Sequence, residues 1–89
     1  MTWKIEFDNR ARKELRKLNP DVQEKIFQWI RNNLTETNNP RHSGSPLKGR
    51  MKGLWRYRTG EYRIVCQIRE EDFAILVLRI AHRRDIYDR

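Results

Sequence analysis

The residues with most chemical capacity in this chain are cationic, and they follow a fixed alternation. In Leu54-Trp55-Arg56-Tyr57-Arg58-Thr59-Gly60-Glu61-Tyr62-Arg63, arginines interleave with aromatics ahead of a glycine turn, and another arginine follows it. Successive side chains in a strand point to opposite faces, so Arg56 and Arg58 project one way while Trp55 and Tyr57 project the other. Guanidinium groups on one face, anchored by packed aromatics on the other, make a rigid anion-binding surface. The chain carries 20 Lys and Arg against 12 Asp and Glu, a formal net charge of +8. Between Arg41 and Arg63 the charged residues are Arg41, Lys48, Arg50, Lys52, Arg56, Arg58 and Arg63 against Glu61 alone. An anion that suits such a stretch is a nucleic-acid backbone.

The elements that must position these side chains are legible from patterning. Trp3, Ile5 and Phe7 alternate with Thr2, Lys4 and Glu6, the period-two pattern of a half-buried strand. Asp8 or Asn9 then caps a helix with Ala11, Leu15 and Leu18 on one face and Arg10, Arg12, Lys13, Glu14, Arg16 and Lys17 on the other. Asn19-Pro20 starts a second helix, because proline suits the first helical position. Its apolar stripe is Val22, Ile26, Ile30 and Leu34, widened by Phe27 and Trp29. Residues 35–53 hold Pro40, Gly44, Pro46, Gly49 and Gly53 and read as a long loop tacked down by Leu47 and Met51. Strands follow at about Leu54 to Arg58, Tyr62 to Arg69 and Phe73 to Ala81, with turns at Thr59-Gly60-Glu61 and Glu70-Glu71-Asp72. The run Phe73 to Leu78 is continuously apolar, which predicts a central strand covered on both faces for much of its length. The order β-α-α-β-β-β predicts an α+β fold: a helical hairpin packed on one face of a small twisted sheet that ends in an antiparallel meander. Eighty-nine residues, 1–89, make one domain. Its expected core includes Trp3, Phe7, Leu15, Ile26, Ile30, Ile64, Ile75 and Val77.

Composition also removes function classes. Cys66 is the single cysteine, so an intrachain disulfide framework is excluded, and its apolar strand setting marks a buried thiol rather than a nucleophile. No apolar run approaches membrane-spanning length, and Met1 to Glu6 lacks the apolar region of a signal peptide, so the expected location is cytoplasmic. Carboxylates sit in turns and on helix surfaces, without a His or Cys partner at ligand spacing. The expectation is chemistry without a metal or other cofactor.

Leu47-Lys48-Gly49, Gly53-Leu54-Trp55-Arg56-Tyr57-Arg58, Gly60-Glu61-Tyr62-Arg63 and the closing Arg79-Ile80-Ala81-His82-Arg83-Arg84-Asp85-Ile86-Tyr87, in this order, resemble the RelE branch of the RelE/ParE toxin superfamily. The resemblance spans essentially the whole chain. It implies a type II toxin: a ribosome-dependent endoribonuclease that cuts messenger RNA in the decoding site and is held inactive by a cognate antitoxin. It also implies site residues. Arg56 and Arg58 match the basic positions of the first meander strand, and Arg63 the arginine after the strand-opening tyrosine. Arg83 and Tyr87 match the closing arginine and tail tyrosine, with His82 where a basic residue often precedes that arginine. Lys48, Arg50 and Lys52 are the expected contacts to RNA or ribosome. The best-known members carry lysines where Arg56 and Arg58 stand. Arginine stays protonated, so these residues can clamp phosphate but cannot act as general base.

Cutting RNA without metal needs a base for the ribose 2′-hydroxyl, cations for the charge building on the phosphate oxygens, and an acid for the leaving 5′-oxygen. Tyr87 and His82 are the candidates for base and acid, in either assignment. Arg79, inside an apolar run, reads as a snorkelling or paired charge at the core edge as readily as an RNA ligand. The competing readings are a ParE-like toxin that inhibits DNA gyrase by binding alone, and a non-catalytic domain that binds RNA or its antitoxin.

Overall fold

The structure, a computed structural model, describes residues 2–84; Tyr87, expected in the site, lies outside them. Asp8 takes the extended conformation of a helix cap, and its carboxylate accepts from the Arg10 N–H at 3.2 Å. This opens helix α1 (Asn9–Arg16), which buries Ala11 and Leu15 and places Lys13 and Arg16 in its last turn, where cations suit the helix dipole. Helix α2 (Pro20–Ile30) starts with Pro20 as expected. Asn19 stands at the cap position but makes no side-chain cap bond, so the fixed φ of Pro20 carries the start. The apolar stripe of α2 continues through a wider π-type turn, Arg31–Thr35, which brings Leu34 fully into the core.

The sheet contains β1 (Lys4–Phe7), β2 (Ser45–Pro46), β3 (Trp55–Thr59), β4 (Tyr62–Arg69) and β5 (Ala74–His82), in the order β1-β5-β4-β3-β2. Strand β1 runs parallel to β5, and every other pairing is antiparallel. Apart from the added edge strand β2, the β-α-α-β-β-β order and the C-terminal meander are as the sequence predicts. Trp3, Leu15, Ile26, Ile30, Ile64, Ile75 and Val77 lie in the core between helices and sheet, and Phe7 packs half-buried against it.

The structure corrects several expectations. Residues 35–53 are not a bare loop. They contain short 3₁₀ turns at Pro40–His42 and Gly49–Met51 and add the edge strand β2. The hairpin turn is Gly60-Glu61 alone, because Thr59 still pairs with Tyr62. Phe73 is not in the strand: it closes the preceding turn in the left-handed region (φ 48°) and is 44% exposed. Strand β5 is central, yet the helices pack on one face only, and Leu76 and Leu78 on the other face are half-buried.

The register between β4 and β5 passes from Val65↔Arg79 to Cys66↔Val77, leaving Leu78 as the extra residue of a bulge. The pairing of β1 with β5 stops at Phe7↔Val77, so the edge of β5 beyond it needs another partner. Glu14 supplies one. Its Oε1 accepts from the Ile80 N–H at 2.8 Å, and its Oε2 holds Arg79 Nε at 2.9 Å. The core-edge pairing expected of Arg79 is therefore this contact. Glu14→Ala is expected to cost about 2 kcal/mol in urea denaturation, since hydrogen bonds to charged groups contribute roughly 1.5–3 kcal/mol. Glu14→Gln, which keeps an acceptor for Ile80, should cost about half as much.

Two ionisable groups lie in the core. Tyr57 donates its phenolic proton to the Pro40 carbonyl at 2.6 Å, and Cys66 is fully buried. Burial pushes both upward in pKa, and the neighbouring Cys66 adds to the effect at Tyr57. In the unfolded chain they ionise near their ordinary values of 9.0 for Cys and 10.0 for Tyr; in the folded chain they stay protonated there. Their stabilisation is thus complete below those values and is lost as pH rises above about 9. Cys66→Ala is expected to delay the onset of that alkaline decline, measured by denaturation midpoints across the range.

Candidate nucleic-acid interface

The pairing of β3 with β4 places Arg58 directly opposite Arg63 and Arg56 directly opposite Val65. Residues directly opposite on neighbouring strands share a face, with Cβ atoms about 4.5–5.5 Å apart. The partners that alternate with them, Tyr57 and Ile64, are both fully buried on the helix side. Arg56, Arg58 and Arg63 therefore stand together on the face that no helix covers. The turn sets this register. Gly60 has φ 60° whereas Glu61 does not have positive φ, the pattern of a type II′ turn, which needs glycine at its first central position.

The aromatics hold the strand from behind. Tyr57 is anchored at Pro40, the Trp55 indole N–H donates to the Ser43 carbonyl at 2.7 Å, and Arg41 lies 5.7 Å over the Trp55 ring. Arg41 is in turn ion-paired with Glu70, which explains why this part of the 35–53 segment lies down on the sheet. On the open face, Arg56 donates to Ser45 Oγ at 3.3 Å. Lys48 joins Arg56 in a shallow cleft of about 380 Å³ with Pro46, Leu47 and Gly49. Arg50 and Lys52 are exposed nearby, on and just after the 3₁₀ turn, and do not line that cleft.

His82 is placed differently. It ends β5 opposite Tyr62, whose ring it meets edge-on at 5.4 Å. Tyr62 packs against the core, so by strand parity His82 belongs to the helix-bearing side and not to the face of Arg58 and Arg63. Its Nδ1 accepts from the Arg84 N–H at 3.2 Å, and its Nε2 lies 3.3 Å from Glu61 Oε1. A neutral ring accepting at Nδ1 carries its proton on Nε2, facing that carboxylate. The same oxygen is 3.6 Å from Arg83 Nε, and the Arg83 N–H donates to the Glu61 carbonyl at 2.7 Å.

The expected site thus divides into a cationic face (Arg56, Arg58, Arg63 and Lys48) and a cluster at the strand end (His82 and Arg83 around Glu61). Sequence reasoning missed Glu61 as an organiser. The available signal was its position in the turn, which pairing Tyr62 with His82 would have brought beside the chain end. Among the described residues, no three His, Cys, Asp or Glu side chains gather as metal ligands, and no helix is long and apolar enough to cross a membrane.

Two helices on one side of a mixed five-stranded sheet, with arginines concentrated on the other, define the class of toxins built on the RelE/ParE fold. The sequence profile of the ParE toxin of type II toxin–antitoxin systems matches residues 5–87, and the chain belongs to this family. It is 32% identical over 89 residues to toxin RelG of Mycobacterium tuberculosis, covering 100% of both chains. Among solved structures it resembles a chain of the RelBE2 toxin–antitoxin complex of M. tuberculosis, with a TM-score of 0.85 and 28% identity over 96% of this chain and 95% of that one. A chain of the intact E. coli RelBE complex gives a TM-score of 0.70 and 26% identity, covering 98% and 99%.

Exposed charges contribute little to folding. Arg58→Ala is expected to change stability by no more than about 0.5 kcal/mol. The same substitution should weaken binding of single-stranded RNA and flatten its salt dependence by about one counterion, read as the slope of log affinity against log salt.

Proposed function

We propose that this type II toxin is a ribosome-dependent endoribonuclease that inhibits translation by cutting messenger RNA in the decoding site. The observation that carries the proposal is Arg58 standing opposite Arg63, with Arg56 on the same face, which no helix covers. Guanidinium groups gathered on one face suit the charge and geometry of a phosphodiester.

In the proposed reaction the ribose 2′-oxygen attacks phosphorus, the bond from phosphorus to the 5′-oxygen breaks, and a 2′,3′-cyclic phosphate and a free 5′-hydroxyl result. The 2′-hydroxyl proton passes to a base, and an acid protonates the departing 5′-oxygen. Arg56, Arg58 and Arg63 stabilise the charge on the non-bridging oxygens and accept no proton. Proton transfer falls to His82 and Tyr87, with Arg83 as a further cation. To serve, His82 must release either Glu61 or the Arg84 amide, which engage its two nitrogens, and reach round the strand end from the helix-bearing side. Lys48, Arg50 and Lys52 add phosphate contacts to messenger or ribosomal RNA. No cofactor enters this scheme.

A cognate antitoxin is the proposed partner, in keeping with the toxin–antitoxin complexes of the RelBE relatives. An acidic segment that folds on binding would gain from the net charge of +8. The family match to ParE toxins favours a second reading, gyrase inhibition by binding alone.

Mapping RNA 3′ ends in a translation reaction separates the two. Codon-spaced cuts confined to ribosome-bound messages are expected; intact messages together with a supercoiling defect would select the second. At saturating toxin, Tyr87→Phe and His82→Ala are each expected to slow cutting while leaving affinity nearly unchanged, which places the defect in the chemical step. Wild-type rates in both variants would remove this proton-transfer scheme even if cutting is confirmed.

A further inference from the structure

The edge of β3 is left open next to an aromatic ring. Strand β2 pairs only at Ser45↔Arg56 and Pro46↔Trp55. Thr59↔Tyr62 closes a two-residue turn, and such closing pairs exchange both backbone hydrogen bonds. Alternate residues along β3 therefore turn their N–H and C=O away from β4. The Leu54 carbonyl, on that alternation, accepts from the Leu47 N–H at 3.0 Å. Arg58 follows the same alternation, but β2 does not reach it. On that alternation its backbone donor and acceptor point to the open edge, where Arg58 lines a cleft of about 390 Å³ with Trp29, Ser43, Gly44, Ser45 and Arg56.

The cleft is built rather than incidental. Trp29 is half-buried and held against Tyr57, with ring centroids 5.4 Å apart. Gly44 (φ 76°) forms the corner where a side chain has no room: a Cβ there would lie 2.3 Å from the Arg56 carbonyl oxygen and 2.8 Å from Tyr57 Cδ1. The volume falls within the roughly 300–1,000 Å³ typical of small-ligand sites.

We propose that this cleft is a nucleobase subsite, in which a base of single-stranded RNA stacks on Trp29 and presents its hydrogen-bonding edge to the Arg58 backbone, while Arg56 and Arg58 hold its phosphate. The inference rests on the proposed RNA-cutting function and adds to it a determinant of base preference. A peptide strand would also use an open sheet edge, but it needs a run of unpaired residues to form a ladder. Only the Arg58 pair is on offer, beside an aromatic face and two guanidinium groups. That set matches a nucleotide.

The test uses the whole protein and two probes: a 2′-O-methyl adenosine hexanucleotide, which cannot be cut by 2′-hydroxyl attack, and an abasic sugar–phosphate chain of the same length. Binding is followed by affinity and by the NMR signals of the indole N–H groups. The base-bearing probe should shift the Trp29 signal and the abasic one should not. Trp29→Leu should weaken the base-bearing probe about tenfold, the scale of one lost stacking contact, without altering the abasic one. Trp29→Phe, which keeps an aromatic ring should leucine disturb packing, should restore most of the loss. An unmoved Trp29 signal at saturation, or equal weakening of both probes by Trp29→Leu, overturns the subsite. If in that case both probes still need Arg58, the RNA function stands without it. Binding of neither probe overturns the subsite and the RNA-binding face together.

Discussion

The architecture depends on one strand having a dry side and a charged side. Tyr57 is fully buried and hydrogen-bonded at its tip to Pro40, while its neighbours in sequence are arginines. Because the side-chain period of a strand is two, a slip of one residue would bury Arg56 and Arg58 and expose Tyr57. Burying an unpaired guanidinium costs far more than any single packing contact returns. The register of β3 is therefore strongly specified. The same constraint that anchors the sheet aims the cations.

This has consequences for where charge is neutralised. Several cations outside the group of Arg56, Arg58 and Arg63 meet a carboxylate: Lys4 with Glu6, Arg79 and Arg10 with Glu14, Arg41 with Glu70, and Arg83 with Glu61. On the open face, Arg58 faces Arg63. Opposing arginines across the hairpin, with Arg56 beside them, concentrate positive charge on one surface. Glu14 illustrates the division: one carboxylate both pairs a cation and completes the β5 edge that β1 is too short to cover.

The sequence revealed the elements with strong periodicity. The stripe through Ile26, Ile30 and Leu34, the alternation around Tyr57 and the proline start of α2 each rest on local geometry that one segment determines by itself. Segments whose structure depends on distant contacts were less legible. Strand β2 is two residues long and exists because Trp55 and Tyr57 tie Ser43 and Pro40 down, which no window around residue 45 contains. Phe73 looked like the start of an apolar strand, but the preceding acidic turn needs a left-handed closing residue. In the candidate site, parity gave the shared face of Arg56 and Arg58, whereas Arg63 came from the resemblance and its place on that face from the pairing Arg58↔Arg63. The position of His82 was hidden, since it follows from the Tyr62↔His82 pairing and from the bulge at Leu78, which reverses the parity of β5. Trp29 read as core because helical spacing cannot distinguish a ring in the core from one at the rim of a cleft.

The central claim is that opposed arginines on the sheet face away from the helices stabilise a developing charge on RNA. The direct measurement is the single-turnover rate of messenger cleavage in toxin-saturated ribosome complexes, comparing Arg58→Ala and Arg63→Ala with Arg16→Ala on the helix side. Removing a transition-state donor typically costs on the order of a hundredfold or more. The account predicts such losses for the two sheet arginines and a near wild-type rate for Arg16→Ala. Equal, small losses in all three would mean that net charge alone matters, and would contradict it.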